Sequence, residues 1–503
     1  MGAEKDAKPA QDVAVFEMRE ISVFDESDIP PWEIVVGQFG SCSKDRNSAV
    51  KAYPKLRSKH PLYGETAFGA NPVTGEKGKT YYFVLDESGE PVKEAPKTLD
   101  NKPDASKEKK PETAQAGAFS EIKKYLDRPS RYDRMYFDLN GDLDLTNDGV
   151  IKPMPNPPWD RLPPWTPKER MAFDFITIPF DYGPGVGVRP FCMLPWLTLW
   201  ESKGQEDGSM HFVATVARQG RVRFGKRDLN ALMLQSRCIS GRFDRPTTQL
   251  RLTAAEPERK GLPLQCDGFA GHSLQDAWRV DGEIYFATTT PLGDKLTVAR
   301  YQGDCGTFGL GAGKRNLKKG EYQFSGSLTS KDFSIGLVDR SCGHSSEKQQ
   351  QEFRVPVGDY YPSYLTISYS HLRISLSNNY HSDGARRDAA THKRDFFIRI
   401  RKDKPFVFDL SNQPEVVFTT PAKDKTFKLG DEISVAAVLI DPKLDLMIRR
   451  LTDTSRTEKK MIQRGSGAYA KTETYESPVT LDPTVTITDS AGKKVAEGTM
   501  PFG

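Results

Sequence analysis

The stretch HFVATVARQGRVRFGKRDL, residues 211–229, decides the fold class. Apolar and polar residues alternate along it, the period of a strand with one buried face. Gln219-Gly220 stands between two such runs and reads as a tight hairpin. Four other stretches share the form: TYYFVLDESGEP (80–91), YDRMYFDLNGD (132–142), FDFITIPFDYG (173–183) and GEIYFATTTPLGDKLTVARY (282–301). Each is a short run rich in Val, Ile, Thr, Tyr and Phe, closed by Gly, Asp, Asn or Pro. Helical periodicity is nearly absent. A short helix is expected over 118–126, where Phe119, Ile122 and Leu126 share a face, and a helical turn at Thr166-Pro167-Lys168-Glu169. The expected class is all-β: several β-sandwich or β-barrel-like modules in tandem, with minor helix.

Composition divides the chain further. Residues 1–11 are polar and expected to be disordered. Residues 12–275 read as β-rich modules and 276–412 as a second β module. Between 90 and 118, EPVKEAPKTLDNKPDASKEKKPETAQAGA has almost no apolar side chain, so ordering it would bury too little to offset the entropy lost. It reads as a disordered insertion. KPMPNPPWDRLPPWTP, residues 152–167, reads as an extended strap, since proline removes ladder donors. Trp159 and Trp165, with Trp196 and Trp200, could form an aromatic platform for sugar or peptide; stapling the strap to the core is the favoured reading. Residues 413–503 read as an immunoglobulin-like β-sandwich. It has a turn at Leu429-Gly430-Asp431, a long apolar strand from Ile433 and a hairpin around Asp489-Ser490-Ala491-Gly492. The antibody Cys and Trp hallmarks are missing. A polar, basic excursion over 443–477 is long for a sandwich loop and reads as a partner-binding arm or a loose loop.

The 72 basic and 68 acidic residues nearly cancel across 503 positions, and no basic arm points to nucleic acid. No stretch approaches eighteen apolar residues, so no membrane-spanning helix is expected. The polar start lacks the apolar centre of a signal peptide, and the numbering suits a mature form whose leader is gone. The six cysteines, Cys42, Cys192, Cys238, Cys266, Cys305 and Cys342, contain no C-x-x-C pair, which argues against zinc ribbons and thioredoxin chemistry. Three disulfides and free buried thiols both remain open.

One stretch suggests site chemistry: FDLNGDLDLTNDGVI, residues 137–151. A calcium loop needs hard oxygen ligands on alternate residues, so that a curling backbone points them at one centre. Asp138, Asn140, Asp142 and Asp144 stand at positions 1, 3, 5 and 7 of such a loop, and Thr146 at position 9. Leu143 holds the sixth position, where glycine normally permits a sharp turn, and Gly149 holds the twelfth, where glutamate is usual. Asp148, one residue early, is the carboxylate available to close the site. The expected flanks are strands, where a true EF-hand has helices, which argues against an EF-hand. Two readings remain: a calcium loop between strands, or a polar turn whose side chains cap the local backbone without an ion. A second stretch, LQSRCISGRFDRPTTQLRL (234–252), has similar spacing with no carboxylate at the first three ligand positions.

Catalytic motifs fail. GPGVGV (183–188) runs into Arg189-Pro190, so no helix N-terminus follows. GLGAGKR (309–315) has Phe308 where the first P-loop glycine belongs, and Arg315 in place of Ser or Thr. Neither H-E-x-x-H nor G-x-S-x-G occurs. Cys342 with His344, and His381, lie in polar loops. A glycosidase carboxylate pair would be visible only in the fold.

Three segments carry a resemblance: VARQGRVRFGKRDLNALML with GRFDRP, RVDGEIYFATTTPLGDKLTVARYQGDCGTFGL, and FRVPVGDYYPSYLTISY. Across about residues 130–410 they resemble a pattern in large uncharacterised exported β-rich proteins of environmental bacteria. The C-terminal part is similar to immunoglobulin-like domains appended to such proteins. The resemblance implies repeated β-modules outside the cytoplasm and brings no established activity. The expectation is an exported structural or binding protein without catalysis, stiffened by calcium, with cell-envelope, protein-assembly or glycan partners and no nucleic acid. A polysaccharide hydrolase and a lectin-like glycan binder are the alternatives.

Overall fold

The computed structural model describes residues 13–24, 37–70, 77–89, 130–158, 169–202, 205–235, 238–255, 272–311, 322–337, 352–386, 397–409, 413–421, 425–428, 430–464 and 471–500. These residues are all-β, with no helix among them. The strands begin with β1 (Val13–Glu17), β2 (Arg19–Ser22), β3 (Gln38–Ser43), β4 (Leu62–Phe68), β5 (Lys79–Asp86) and β6 (Arg134–Phe137). Next come β7 (Glu169–Ala172), β8 (Ile176–Asp181), β9 (Val188–Ser202), β10 (Gln205–Ala214), β11 (Val216–Phe224), β12 (Arg227–Gln235) and β13 (Thr248–Ala254). The middle holds β14 (His272–Ser273), β15 (Trp278–Val280), β16 (Glu283–Thr289), β17 (Lys295–Arg300), β18 (Cys305–Gly311), β19 (Tyr322–Thr329) and β20 (Ser334–Gly336). After them run β21 (Glu352–Pro356), β22 (Gly358–Tyr369), β23 (Leu372–Ser377), β24 (Ile398–Ile400) and β25 (Phe406–Asp409). The last are β26 (Glu415–Thr420), β27 (Ala436–Asp441), β28 (Leu446–Arg464), β29 (Lys471–Thr480), β30 (Thr484–Thr488) and β31 (Lys494–Thr499).

An eight-stranded sheet, ordered β6-β5-β4-β3-β10-β9-β7 with β8 also on β9, carries the Asp-rich loop at its β6 edge. One face buries Phe68, Phe83, Phe137, Phe173, Met193 and Phe212 in a shared core. On the other face Leu194, Trp196 and Val213 pack against Ile21, Ala217 and Leu234 of a five-stranded sheet, β14-β13-β12-β11-β2. That sheet turns its inner face, with Val222, Phe224, Leu229 and Leu250, onto Tyr285, Leu296 and Val298 of the sheet β1-β17-β16-β15. A further core joins the nine-stranded sheet through Leu365, Ile367 and Leu446 to Phe308, Phe353 and Phe408 of the sheet β21-β18-β25. Such alternation, apolar inward and polar outward, is what an antiparallel sheet with one wet face requires.

Two ladders cross the expected segment boundaries. β1 pairs with β17, so residues 13–17 complete a sheet drawn from residues 278–300. β23 pairs with β28, so β26 to β29 share the nine-stranded sheet with β19 and β22, while β30 and β31 form their own hairpin. The Asp489 turn is as expected: its carboxylate accepts from the N–H groups of Ala491 and Lys493.

Four local expectations are corrected. Gln219-Gly220 is not a turn: β11 runs through it, and the chain reverses at Gly225-Lys226, where Phe224 faces Arg227. Gly220 is needed for a close approach, since a Cβ there would stand 2.6 Å from Met18 Sδ and 2.7 Å from the Glu17 carbonyl oxygen. The 443–477 excursion is chiefly strand, because β28 and β29 pair as a long ribbon beyond β23. The strand expected from Ile433 begins at Ala436. Glu169, expected in a helical turn, opens β7 instead. The expected helix over 118–126, the insertion over 90–118, Thr166 to Lys168, and Trp159 and Trp165 lie outside the described residues.

No helix of the described residues is long and apolar enough to cross a membrane. Cys42, Cys192, Cys238 and Cys305 are free thiols; Cys266 and Cys342 lie outside the described residues. Burial pushes the Cys42 thiol up to about 12, the behaviour of a packed core sulfur.

Candidate functional site: the Asp138 loop

Strand β6 delivers the chain into the loop, and a bridge closes it behind. Met135 and Ile151 exchange backbone hydrogen bonds of 3.1 and 2.8 Å. The intervening loop is anchored to the segment around Lys51. Lys51 N donates to the Leu143 carbonyl at 2.8 Å, and Leu145 N donates to the Ala52 carbonyl at 3.0 Å. Leu145 is wholly buried with Val50, Tyr63, Val84 and Tyr136, a small core of its own. The apolar residues of this stretch therefore hold the loop to the sheet while its polar residues curl outward.

Asp138 organises the curl. Its carboxylate is buried and accepts three backbone N–H groups: Gly141 at 2.8 Å and Asp142 at 3.1 Å on Oδ1, and Leu143 at 3.2 Å on Oδ2. Multiple donors are what a buried charge needs. Gly141 and Leu143 both take left-handed backbone angles, φ +73° and +69°. The sharp turn that calcium loops make at their sixth position is thus present, with leucine making it.

The other predicted residues cluster around this frame. Asn140 Oδ1 accepts from Asp142 N at 2.9 Å, and Asp142 Oδ1 accepts from Asp144 N at 2.8 Å. Asp142 Oδ2 takes amide hydrogens from Asn140 at 3.0 Å and Asn147 at 2.7 Å. The hydrogen bonds from Asn147, Asp144 N and Asn140, with the nearby Lys51 charge, lower the Asp142 pKa. Asp144 Oδ1 accepts from both the N–H and the hydroxyl of Thr146, at 2.9 and 2.6 Å. Asp148 Oδ1 accepts from Leu139 N at 3.3 Å, but its Oδ2 is buried with no hydrogen-bond partner. Burial, with the like charges of Asp138, Asp142 and Asp144, raises the Asp148 carboxyl to about 6.

Two lysines border the loop without pairing with its carboxylates. Lys51 Nζ donates to the Asp142 carbonyl at 2.8 Å, and the Lys79 ammonium lies against Gly141 and over the Tyr81 ring. As they stand, no three His, Cys, Asp or Glu side chains among the described residues form a group that could hold a metal ion. The chemistry of the donor set nonetheless fits a hard cation: four carboxylates, one amide and one hydroxyl in a single curl, with one buried oxygen left unpartnered. Sequence reasoning missed Asn147 and Lys51. Asn147 stood in the stretch already quoted, whereas Lys51 is distant in sequence.

In the second stretch neutral amides hold the turn at 239–241, and Arg242 pairs with Asp244 just after it, at 2.9 and 2.6 Å. Gln235 Oε1 accepts from Ser240 N and Gly241 N, each at 2.9 Å, and Gln38 Oε1 accepts from Ile239 N at 2.7 Å. Neutral amides here do what Asp138 does in the first loop. Of the described tryptophans in the expected platform, Trp196 is buried and stacked on His211 at 4.6 Å. Trp200 is 37% exposed and donates its indole N–H to Thr198 Oγ1. His381 lies 3.6 Å from Asp445 Oδ2, while Cys342 and His344 are outside the described residues.

No protein-family model, no curated protein and no solved structure matches this chain.

Proposed function

We propose that this chain is an exported structural or binding protein without catalysis, in which calcium taken up by residues 138–148 stiffens the edge of the eight-stranded sheet. One observation carries the reading: Asp148 Oδ2 is buried, lacks a partner and sits among three like charges. A buried charge without compensation is costly, and a divalent cation is the simplest agent that would offset all four carboxylates at once. Asp138, Asp142, Asp144 and Asp148, with Asn140 and Thr146, would hold the ion. Calcium suits these ligands because it accepts six to eight oxygens in flexible geometry. Bound calcium would supply charge neutralisation and rigidity. The tethers at Lys51, Ala52 and Leu145 would pass that rigidity to β4, β5 and β6, whose residues Tyr63, Val84 and Tyr136 share the loop's core.

Calorimetric titration of the full chain with calcium chloride at pH 7.5 tests the reading. Saturable binding is expected, weakened at least tenfold by Asp148→Asn, since one charged ligand is lost. Undetectable heat at millimolar calcium, or an Asp148→Asn variant that binds as the native chain does, contradicts it.

A further inference from the structure

We propose that two copies of this chain pair by exchanging hairpins, β30–β31 of each packing on β26 and β27 of the other. The inference goes beyond the calcium reading and takes nothing from the Asp138 loop.

The donor is the hairpin. Among the described residues β30 and β31 pair with each other and with no other strand. Val485 faces Gly498 across the ladder and Ile487 faces Ala496, so these four share one side. Thr484, Thr486 and Glu497 stand on the other. Such alternation belongs to a sheet with one dry face, yet no strand residue of the hairpin is buried. Ile487 is 48% exposed, and a Cβ on Gly498 would meet nothing within 4 Å. A two-stranded hairpin in that state is marginal in water and needs a surface to pack against.

The acceptor is the β26 end of the nine-stranded sheet. The ladders put Leu376, Ile448, Leu439 and Val416 in one row across β23, β28, β27 and β26. Leu376 and Ile448 are buried in the core shared with Phe308, Phe353 and Phe408 of the three-stranded sheet. Cover then runs out. Leu439 is half-buried, Val416 is 53% exposed, and Phe418, opposite Ala437 in the next row, is 57% exposed. The other face of β26 is closed, for a Cβ on Gly384 would stand 2.7 Å from Val417 Cγ1. So β26 carries the inner, apolar face of the core out into solvent, an exposure that marks an interaction site.

The fit of donor to acceptor selects a second copy as the occupant. Both surfaces are open in one chain, so the hairpin does not cover its own β26. Its base is tied to β28, where Leu481 N donates to the Leu451 carbonyl at 2.9 Å. A second copy presents the same two surfaces, and a two-fold exchange fills both slots with both hairpins. Two strands, about 10 Å across, then lie on two strands of equal width. The contact buries no charge, since Val416, Phe418, Ala437 and Leu439 meet Val485, Ile487, Ala496 and Gly498. The eleven strand residues of the hairpin and the twelve of β26 and β27 come to about 23 per protomer. A stable interface uses about 20–30 a side.

Sedimentation velocity of the full chain in EGTA, from about 1 to 100 μM, tests the proposal. A mass of two chains is expected at the upper concentrations, falling to one on dilution. Ile487→Thr in the donor and Phe418→Thr in the acceptor keep strand-forming residues. Each should weaken pairing at least tenfold while the dilute chain melts as before. Mixing the two variants should restore mixed pairs, because the hairpin of one and the β26 face of the other are both native. Where a variant melts lower, Val485→Thr or Val416→Thr replaces it, with the same loss expected. A native chain that stays single at about 100 μM, pairing untouched by the variants, or a mixture that behaves as its components do would each overturn the proposal. Calcium is absent throughout, so failure here leaves the loop reading standing, and a loop indifferent to calcium leaves this one standing.

Discussion

Leu143 donates its backbone N–H to Asp138 Oδ2 at 3.2 Å while itself holding a left-handed φ of +69°. A non-glycine residue there bears about 1–2 kcal/mol of steric strain, and the buried Asp138 carboxylate is what holds it in place. Leu143→Gly should relieve the strain, offset in part by lost packing, and should melt no lower than the native chain. Leu143→Ile adds a β-branch at positive φ and should melt lower than both. Thermal melts order the three; Leu143→Gly below Leu143→Ile would refute the account of the turn.

Asp148 gives the loop a pH signature. Its folded carboxyl holds a proton up to about pH 6, against an ordinary value of 3.8. The charged form therefore disfavours the fold above pH 6, and that penalty fades as pH falls through 6 towards 4. In EGTA, the melting advantage of Asp148→Asn over the native chain should be largest at pH 7.5 and shrink towards pH 4.5. A difference that grows on acidification has the wrong sign for a carboxyl raised by burial.

His211 has the opposite signature. It is buried between Trp196 and Phe39, with Nε2 3.1 Å from Thr198 Oγ1. Burial lowers its pKa from 6.5 to about 4. Neutral His211 contributes stability that is complete above pH 6.5 and is lost as pH falls through 6.5 towards 4. An NMR titration of labelled histidine should show an imidazole signal that stays neutral at pH 5.5 and is missing in His211→Gln. If every described imidazole is protonated by pH 5.5, the packing around His211 is not as seen.

Gly220 should resist substitution for reasons of space. Gly220→Ala sets a Cβ against the Glu17 carbonyl and should cost about 1–3 kcal/mol, the range for overpacked sites. Gly282→Ala, at φ +79° with nothing within 4 Å of the new atom, should cost about 1 kcal/mol from backbone angle alone. Urea denaturation compares them, and a milder effect at Gly220 would count against the β1–β2 crossing over β11.

What the chain displays in one dimension is its alternation, and the strands around Phe83, Phe137, Val213, Phe286 and Val298 follow from it. Gly220 shows where that reading fails. Glycine marks a turn and a close approach with the same letter, and the Met18 and Glu17 atoms that decide between them come from a distant strand. The ribbon over 443–477 was obscured differently: charged residues such as Lys459 and Lys460 mask a ladder whose partners, Glu476 and Tyr475, lie past the tip. The aspartate spacing of the loop was legible, including leucine at the turn. The isolation of Asp148 Oδ2 and the tethers from Lys51 and Ala52 were not, because burial and long-range hydrogen bonds leave no local pattern.

The most direct test of the central claim is the melting temperature of the full chain at pH 7.5 in calcium at five times its Kd against EGTA, with Asp148→Asn alongside. Five-fold saturation is worth about 1 kcal/mol by mass action, so the native chain should melt higher by roughly 1–3 °C, and the variant should gain far less. A native chain whose melting is the same in calcium and EGTA, or a variant stabilised as much as the native chain, would contradict the account.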